Sequence, residues 1–317
     1  MDSRITIALI EFVGGLIGLL FNAFALLYFT FNCKEFSSYF LISSSLLFSN
    51  SIVLTIFTFW TAPLTFFNLK SLTETRIGYI NGSLISYFYY NGVYLDFFLA
   101  LNRLFAICIP IYYSKYFNLR NAKIAITVLF IYSIWYFVIF QIESCHYSYD
   151  PESYQWIYMH ANSSCSRGFV LHDLYISIFT TGIAIIIDTI TLYYVFKRHR
   201  QIKNHTISSE HPITERRIKF FFQSLAINLL FAMTALMIDV IEPLIPDSYS
   251  SIKFYITTFA WMVCHSTIGM IFVFCSDEMR KRIFKPFQIF VKKKKSLIVS
   301  TIESENRKPN SMTYVSS

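Results

Sequence analysis

Seven long apolar segments, each bounded by charged residues, constrain this chain more than any other feature of its sequence. A helix needs about 20 mostly apolar residues to cross the hydrocarbon core of a bilayer. Within that core every backbone polar group must be satisfied inside its own element, which favours helices over strands. The predicted spans are residues 7–31, 38–60, 78–109, 122–142, 172–196, 218–241 and 254–275. The predicted fold class is therefore an all-α membrane protein, a seven-transmembrane helix bundle.

The composition agrees with a membrane protein and argues against other classes. Of the 317 residues, 55% are hydrophobic and only 15% are charged, whereas an ordinary soluble domain carries about 25% charged residues. The net charge is +8, but the basic residues lie in short segments between apolar runs, so no nucleic-acid partner is predicted. The histidines form no closely spaced group and no Cys-x-x-Cys pair occurs, so we expect no metal, no cofactor and no enzymatic activity.

The distribution of lysine and arginine predicts the orientation in the membrane. If the N-terminus lies outside, most of the 27 Lys and Arg residues fall in the inner loops and the C-terminal tail. This is the bias that cytoplasmic segments carry. We therefore expect the N-terminus outside, the C-terminus inside and a multi-pass plasma-membrane location. The segment before the first span is short, so that span is expected to act as its own insertion signal.

Seven spans leave two function classes open, a receptor and a transporter or channel. An odd number of spans does not divide into two equal inverted repeats, which argues against many transporter designs. Polar residues within the spans could nevertheless line a path, so a seven-span transporter or channel remains the alternative. Basal flux without a G protein would favour the transporter, and coupling to a co-expressed G protein would favour the receptor.

The inner end of the third span carries the strongest local motif. Residues 101–113 read Leu-Asn-Arg-Leu-Phe-Ala-Ile-Cys-Ile-Pro-Ile-Tyr-Tyr. This resembles the signature of rhodopsin-like G-protein-coupled receptors, in which an acid-Arg-aromatic triplet is followed by Ala-Ile and then a proline. The resemblance implies that Asn102, Arg103 and Pro110 belong to the surface that couples to a heterotrimeric G protein. The simpler interpretation is that the Arg103 guanidinium only anchors the helix end.

The motif departs from its usual form at one position. Asn102 stands where the acid usually stands, so it cannot form a salt bridge with Arg103 and offers only a weaker, neutral hydrogen bond. Glu215, before the sixth span, is a candidate substitute partner, for which its neighbour Arg216 competes. Other rhodopsin-like marks are partial: Asn50 occupies the place of the usual acid in the second span, and the sixth span contains no tryptophan. The motifs therefore resemble a divergent branch of these receptors.

The chain resembles the nematode chemosensory receptors of serpentine class X more closely. The marks that carry this resemblance are Phe59 to Pro63, Arg76 to Gly78, Asn102 and Arg103 with Pro110 to Lys115, Cys145 to Pro151 with Trp156 and Cys165, Phe220 to Gln223, and Trp261 with His265. They occur in order over nearly the whole membrane part. The resemblance implies a G-protein-coupled receptor that senses a small environmental molecule, on sensory neurons and their cilia.

The second outer loop contains two cysteines and a glycosylation motif. Cys145 and Cys165 lie in the oxidising compartment, where we expect them to form a disulfide. Asn162 begins an Asn-Ser-Ser sequon and is the predicted glycosylation site. Asn81 also begins a sequon but lies close to the membrane, and Asn204 begins one on the inner side, where it should stay unmodified.

Ionisable and aromatic residues within the spans are candidates for function because charges are costly there unless they are paired or hydrated. Asp96 lies two turns before Arg103 on the same helix face and is a candidate switch residue. Asp188 and Asp239 are further acids, and the alternative for all three is a neutral or water-bridged role in packing. Ser86, Tyr89 and Tyr90 are predicted to line the ligand pocket, although the tyrosines could equally belong to packing or to the interfacial aromatic belt.

A basic segment follows the last span. Met279, Ile283, Phe284 and Phe287 recur among Arg and Lys residues, which predicts an amphipathic helix over about 277–290 on the anionic inner leaflet. The predicted receptor domain is residues 1–290. Residues 291–317 form a basic and then polar cytoplasmic tail, which we expect to be disordered.

Overall fold

Seven long helices account for most of the computed structural model, which describes residues 3–32, 37–204, 211–276 and 278–283. Within these ranges the side chains of residues 32, 198–199, 201–204, 211–221 and 247 are not described. The seven helices are α1 Ser3–Asn32, α2 Ser38–Phe67, α3 Arg76–Cys108, α4 Leu119–Ile139, α5 Ser164–Asn204, α6 His211–Leu236 together with the π-helical turn Met237–Ile241 that continues it, and α7 Ser250–Cys275. All seven contain a stretch long and apolar enough to cross a membrane. The predicted helix bundle is therefore confirmed.

Several helices extend beyond the spans that the sequence predicted. α2 continues to Phe67 and α5 begins at Ser164, about two turns before its apolar run. The extra turns of α5 carry Ser164, Ser166 and Arg167, so a search for apolar runs could not find them. The extra turns of α2 contain Pro63, a residue that usually marks the end of a helix. Three helices contain a π-helical turn, over Phe57–Thr61 in α2, Met237–Ile241 at the end of α6 and Tyr255–Phe259 in α7. Such turns often mark functional regions, and with the N-terminus outside all three lie toward the outer side.

A β-hairpin in the second outer loop is an addition to the predicted all-α fold. Strand β1, Tyr147–Asp150, pairs antiparallel with strand β2, Gln155–Tyr158. Its turn is closed by Asp150, whose carboxylate accepts hydrogen bonds from the backbone N–H (3.2 Å) and hydroxyl (2.7 Å) of Ser153. The aromatic residues of both strands are typical of sheets, but each run is only four residues long, too short to stand out beside the spans.

The hairpin is held against the outer ends of several helices. The Ser148 hydroxyl donates to the Thr73 carbonyl over 2.8 Å, and the Thr258 hydroxyl of α7 donates to the Tyr154 carbonyl over 2.7 Å. Gly82 on α3 lies so close to the Tyr147 carbonyl that a Cβ atom would collide with it. The hairpin and its contacts therefore form a lid over the outer side of the bundle.

The predicted disulfide is present and ties this loop to α5. Cys145 and Cys165 are bonded, with their Cα atoms 5.4 Å apart. Asn162, the predicted glycosylation site, lies nearby in an exposed turn. Asn81 lies within α3, where its side-chain amide donates to the Ile77 carbonyl over 3.0 Å. Of the two outer sequons, Asn162 is the better placed for modification.

The segment after α7 forms a separate unit, Ser276–Ser317. Of this unit, residues 276 and 278–283 are described, and residues 278–283 are helical. The remainder of the predicted amphipathic helix and the predicted tail, residues 291–317, lie outside the described residues. The Glu215 and Asn204 side chains also lie outside the described part of the chain.

Candidate functional site

Arg103 forms a buried ion pair at the inner end of α3. Only 6% of the residue is exposed, and its partner is Asp188 on α5, which is fully buried. The Arg103 Nε donates to Asp188 Oδ1 over 3.4 Å and Nη2 donates to Oδ2 over 3.5 Å. The guanidinium presents two parallel N–H groups to the carboxylate, the arrangement for which an arginine fork is suited. Two helices are thus joined by opposite charges.

The Asp188 carboxylate also joins α6 to this pair. Its Oδ2 accepts a hydrogen bond from the Ser224 hydroxyl over 2.7 Å and another from the Asn228 amide over 2.6 Å. A buried charge is tolerated only when its remaining lone pairs are satisfied, and these two residues of α6 satisfy them. We call Arg103, Asp188, Ser224 and Asn228 the inner lock.

Asn102 contacts a different part of the inner face. Its amide donates to the Ser38 hydroxyl of α2 over 2.9 Å, and that hydroxyl lies 3.0 Å from the Tyr113 hydroxyl. Tyr113 belongs to a short helix, Pro110–Tyr116, whose first residue is the predicted coupling residue Pro110. The hydrogen bonds of Asn102 and Ser38 therefore connect α3 to α2 and to the second inner loop. The acid that pairs with Arg103 comes from α5 instead.

Asp96 lies in the same polar interior, on the outer side of the inner lock. It is 2% exposed, and its Oδ1 has no hydrogen-bond partner among the described residues. Its carboxyl group interacts electrostatically with both Arg103 and Asp188. The predicted switch residue is thus a second acid beside an arginine that is already paired.

A second polar contact joins α1, α2 and α7 deep in the bundle. Asn50, which stands in place of the usual acid, has its Oδ1 2.7 Å from Nδ1 of His265. The Asn22 amide donates to the His265 carbonyl over 3.1 Å and to the Gly18 carbonyl over 2.9 Å. Amide and imidazole groups therefore join these three helices at the position of Asn50.

The predicted pocket residues Ser86, Tyr89 and Tyr90 are all buried, at 5%, 8% and 2% exposure. The Tyr89 ring contacts the Trp261 ring of α7 with 5.2 Å between centroids, and Tyr90 stacks on Tyr136 of α4 at 3.7 Å. The tyrosines thus belong to an aromatic layer beneath the hairpin. Both side chains are buried inside the bundle, so they do not belong to the aromatic belt at the membrane interface.

An apolar groove of about 500 Å³ opens on another surface, between α1 and α7. Its lining includes Leu9, Val13, Ile17, Met262 and Met270. Ser86, Tyr89 and Tyr90 do not contribute to it. The groove is therefore distinct from the pocket that the sequence predicted.

Two acids within the spans escaped the sequence interpretation, which named Asp96, Asp188 and Asp239. Glu11 on α1 is fully buried, and its Oε1 accepts a hydrogen bond from the Tyr149 hydroxyl of the hairpin over 2.9 Å. Asp173 lies on α5, where its Oδ1 accepts from the Ser177 hydroxyl over 3.1 Å. Both positions could have been found by marking every acid within the apolar runs.

Comparisons with known proteins agree with this architecture. The fold is similar to the crystal structure of squid rhodopsin, with a TM-score of 0.69, 14% sequence identity, and coverage of 92% of this chain and 87% of that chain. No curated protein sequence matches the chain. The family model described as serpentine type 7TM GPCR chemoreceptor Srx matches residues 12–276. Because this match covers most of the chain, the protein belongs to the Srx family of serpentine chemoreceptors.

Proposed function

We propose that this receptor detects a small environmental molecule at the plasma membrane and passes the signal to a heterotrimeric G protein through the inner end of α3. Family membership supports the receptor class. The inner lock supports the coupling site, because Arg103 is held by the Asp188 carboxylate of α5, which two neutral residues of α6 bind in turn.

The observation that carries the proposal is that Asp188 supplies the acid that the sequence lacks at position 102. Asp188 holds Arg103 of α3 and, through Ser224 and Asn228, also holds α6. Outward movement of α6 breaks its two hydrogen bonds to Asp188 and weakens the hold on Arg103. The freed guanidinium then becomes available to backbone carbonyls or acids of the G protein, which five permanent donors suit well.

The short helix after Pro110 provides an apolar surface beside Arg103. Ile111 is 85% exposed and Tyr112 is 51% exposed. Exposed apolar residues next to a charged anchor are typical of a docking surface for a partner protein. In this proposal the G protein contacts Pro110 and Ile111 together with Arg103.

Asp96 has a separate role in the proposal, as a switch between resting and active packing. Its carboxyl lies near Arg103 but lacks a partner for one oxygen, so rearrangement of the inner lock changes its surroundings most. Asp96→Asn is expected to change basal activity or ligand potency several-fold. Unaltered values of both would reject the switch role.

The test is nucleotide exchange or second-messenger output in cells that express the receptor with a promiscuous G protein, exposed to pooled small-molecule extracts. Arg103→Ala is expected to abolish the response at equal surface expression. Arg120→Ala is the matched control, since Arg120 is an exposed arginine on the same inner side. A full response from Arg103→Ala, or ion flux in the absence of any G protein, would contradict the proposal.

A further inference from the structure

Two acids, Asp173 of α5 and Asp239 of α6, lie on the outer side of the bundle. Both are half-buried. The electrostatic neighbour of Asp239 is the Asp173 carboxyl, and the basic neighbour of Asp173 among the described residues is the His172 imidazole. Among the described residues, lysine and arginine form ion pairs with Glu152, Asp188 and Glu242. No such pair involves Asp173 or Asp239 in this part of the chain, so these two carboxyl groups lie together without a lysine or arginine partner there.

Four tyrosines interact with these acids. Tyr89 and Tyr90 are neighbours on α3 with ring centroids 5.2 Å apart, and Tyr147 and Tyr158 are opposite each other on the hairpin at 4.9 Å. Burial raises the pKa of the Tyr147 and Tyr158 phenols, and the charges of Asp173 and Asp239 raise it further. Asp173 also lies beside the Tyr90 hydroxyl. We call these six residues the acid–tyrosine cluster.

A separate observation concerns two tryptophans at the edge of the cluster. Trp156 of the hairpin and Trp261 of α7 are 9% and 6% exposed, and among the described residues no group accepts a hydrogen bond from either indole N–H. The Trp156 ring lies 5.9 Å from Tyr147, and the Trp261 ring lies 5.2 Å from Tyr89. Buried donors are almost always paired, so the cluster is bordered by two donors that a ligand oxygen would satisfy.

We infer that the acid–tyrosine cluster binds a small organic ammonium ion that also carries an oxygen acceptor. An ammonium group over the faces of tyrosines is attracted by the ring quadrupoles. A cation beside the two acids also favours their ionised form, which adds direct attraction. A ligand carboxylate at the same place would meet two like charges, which strongly disfavours binding. The inference rests on the proposed receptor function, because it names the ligand class of that receptor.

The acids lie on α5 and α6, so an ammonium ion held there also contacts the two helices that the inner lock joins at their inner ends. Asp239 follows Asn228 by eleven residues on α6, and Asp173 precedes Asp188 by fifteen on α5. At 1.5 Å rise per residue, these separations are about 17 and 23 Å along rigid helices. A change in the distance between the two acids on binding would therefore be transmitted to the lock by the helices themselves.

The experiment measures the melting temperature of the purified full-length receptor in detergent, so that it needs no G protein. The probes are three ammonium compounds, each paired with a neutral alcohol of similar shape: phenethylamine with 2-phenylethanol, tryptamine with tryptophol, and choline with 3,3-dimethylbutanol. We expect at least one ammonium compound to raise the melting temperature at concentrations at least tenfold below its alcohol. Phenylacetate, an anion of the same size, is expected to have no effect.

The variants Asp173→Asn and Asp239→Asn test the position of the site. Each is expected to weaken the effective ammonium compound about tenfold or more, whereas Glu74→Gln, a change of an exposed acid on the same outer side, leaves it unaltered. Either variant suffices if the other does not fold. The inference is wrong if no ammonium compound outperforms its alcohol, or if neither acid variant weakens the effect. Such a failure would leave G-protein coupling intact, so it is distinguishable from failure of the proposed function.

Discussion

The two polar regions of the bundle differ in how their acids are paired. At the inner end, the Asp188 carboxylate is fully buried and is satisfied by an arginine and two hydrogen-bond donors from three different residues. At the outer end, Asp173 and Asp239 interact electrostatically with one another and with the Tyr147 phenol. The inner region is complete without a ligand and holds helices together. The outer region holds two acids that no lysine or arginine of the described part pairs with, which is the arrangement that the inferred ammonium site uses.

The largest expected difference between the regions concerns stability. Asp188→Asn leaves Arg103 buried without its counter-charge, which typically costs about 3 to 5 kcal/mol. Asp173→Asn alters an acid that no lysine or arginine of the described part pairs with, so we expect no loss of stability. Melting temperatures of the two purified variants, compared with wild type, measure this directly. Equal destabilisation by both variants would remove the contrast between the regions.

The second largest loss of stability is expected on removal of the disulfide, because this bond fixes the hairpin lid over the outer region. Replacement of Cys145 and Cys165 by serine is expected to cost about 3 kcal/mol in the chain-entropy model for a loop of this length. The matched control is Cys275→Ser, which alters a cysteine outside the disulfide, at the inner end of α7. Thermal unfolding of both variants, with and without reductant, checks the expectation. Reductant should destabilise the Cys275→Ser variant and leave the double variant unaffected.

Loss of the hydrogen bond between Glu11 and Tyr149 is expected to destabilise the same lid by a smaller amount. The Tyr149 hydroxyl lies between Glu11 (2.9 Å) and the Thr65 hydroxyl (2.7 Å), and all three residues are buried. Tyr149→Phe removes the shared hydroxyl and leaves buried polar groups unpaired, which costs about 1 to 3 kcal/mol. Tyr249→Phe, at a 54% exposed tyrosine, should leave the melting temperature unchanged. Equal melting temperatures for the two variants would show that the hydroxyl does not hold the hairpin.

The smallest effect is expected at the surface of the lid, where Lys70 and Glu152 form an exposed ion pair with a 2.6 Å contact. The hydrogen bond to Glu152 raises the pKa of Lys70. A raised pKa in the folded state means that the pair contributes at neutral pH and loses its contribution as the pH rises through that pKa. Exposed pairs contribute little, so Glu152→Gln should lower the melting temperature only slightly at pH 7. The difference should vanish above the pKa, and a difference that persists there would rule out the ion pair as its cause.

The sequence predicted the parts of this molecule that depend on local pattern. Seven apolar runs of sufficient length are enough to predict seven helices, and the motif around Arg103 and Pro110 marks the inner end of α3. Cys145 and Cys165 could be paired because they share one loop. In each case the decisive residues are close together in the chain.

The remaining features depend on contacts between distant parts of the chain. Arg103 and Asp188 are 85 positions apart, and Glu11 and Tyr149 are 138 apart, so no local pattern connects them. The hairpin was missed because its strands are short and lie between much stronger membrane signals. The acids of α5 and α6 come close to the same tyrosines only in the packed bundle, so the sequence alone does not show that they belong to one cluster.

The central claim, that Asp188 restrains Arg103 in the resting receptor, is tested most directly by ligand-free nucleotide exchange on a co-reconstituted G protein. The account predicts several-fold faster basal exchange for Asp188→Asn than for wild type at equal amounts of folded receptor. It also predicts that this increase disappears when Arg103→Ala is added. Basal exchange that is the same in wild type and Asp188→Asn would contradict the account.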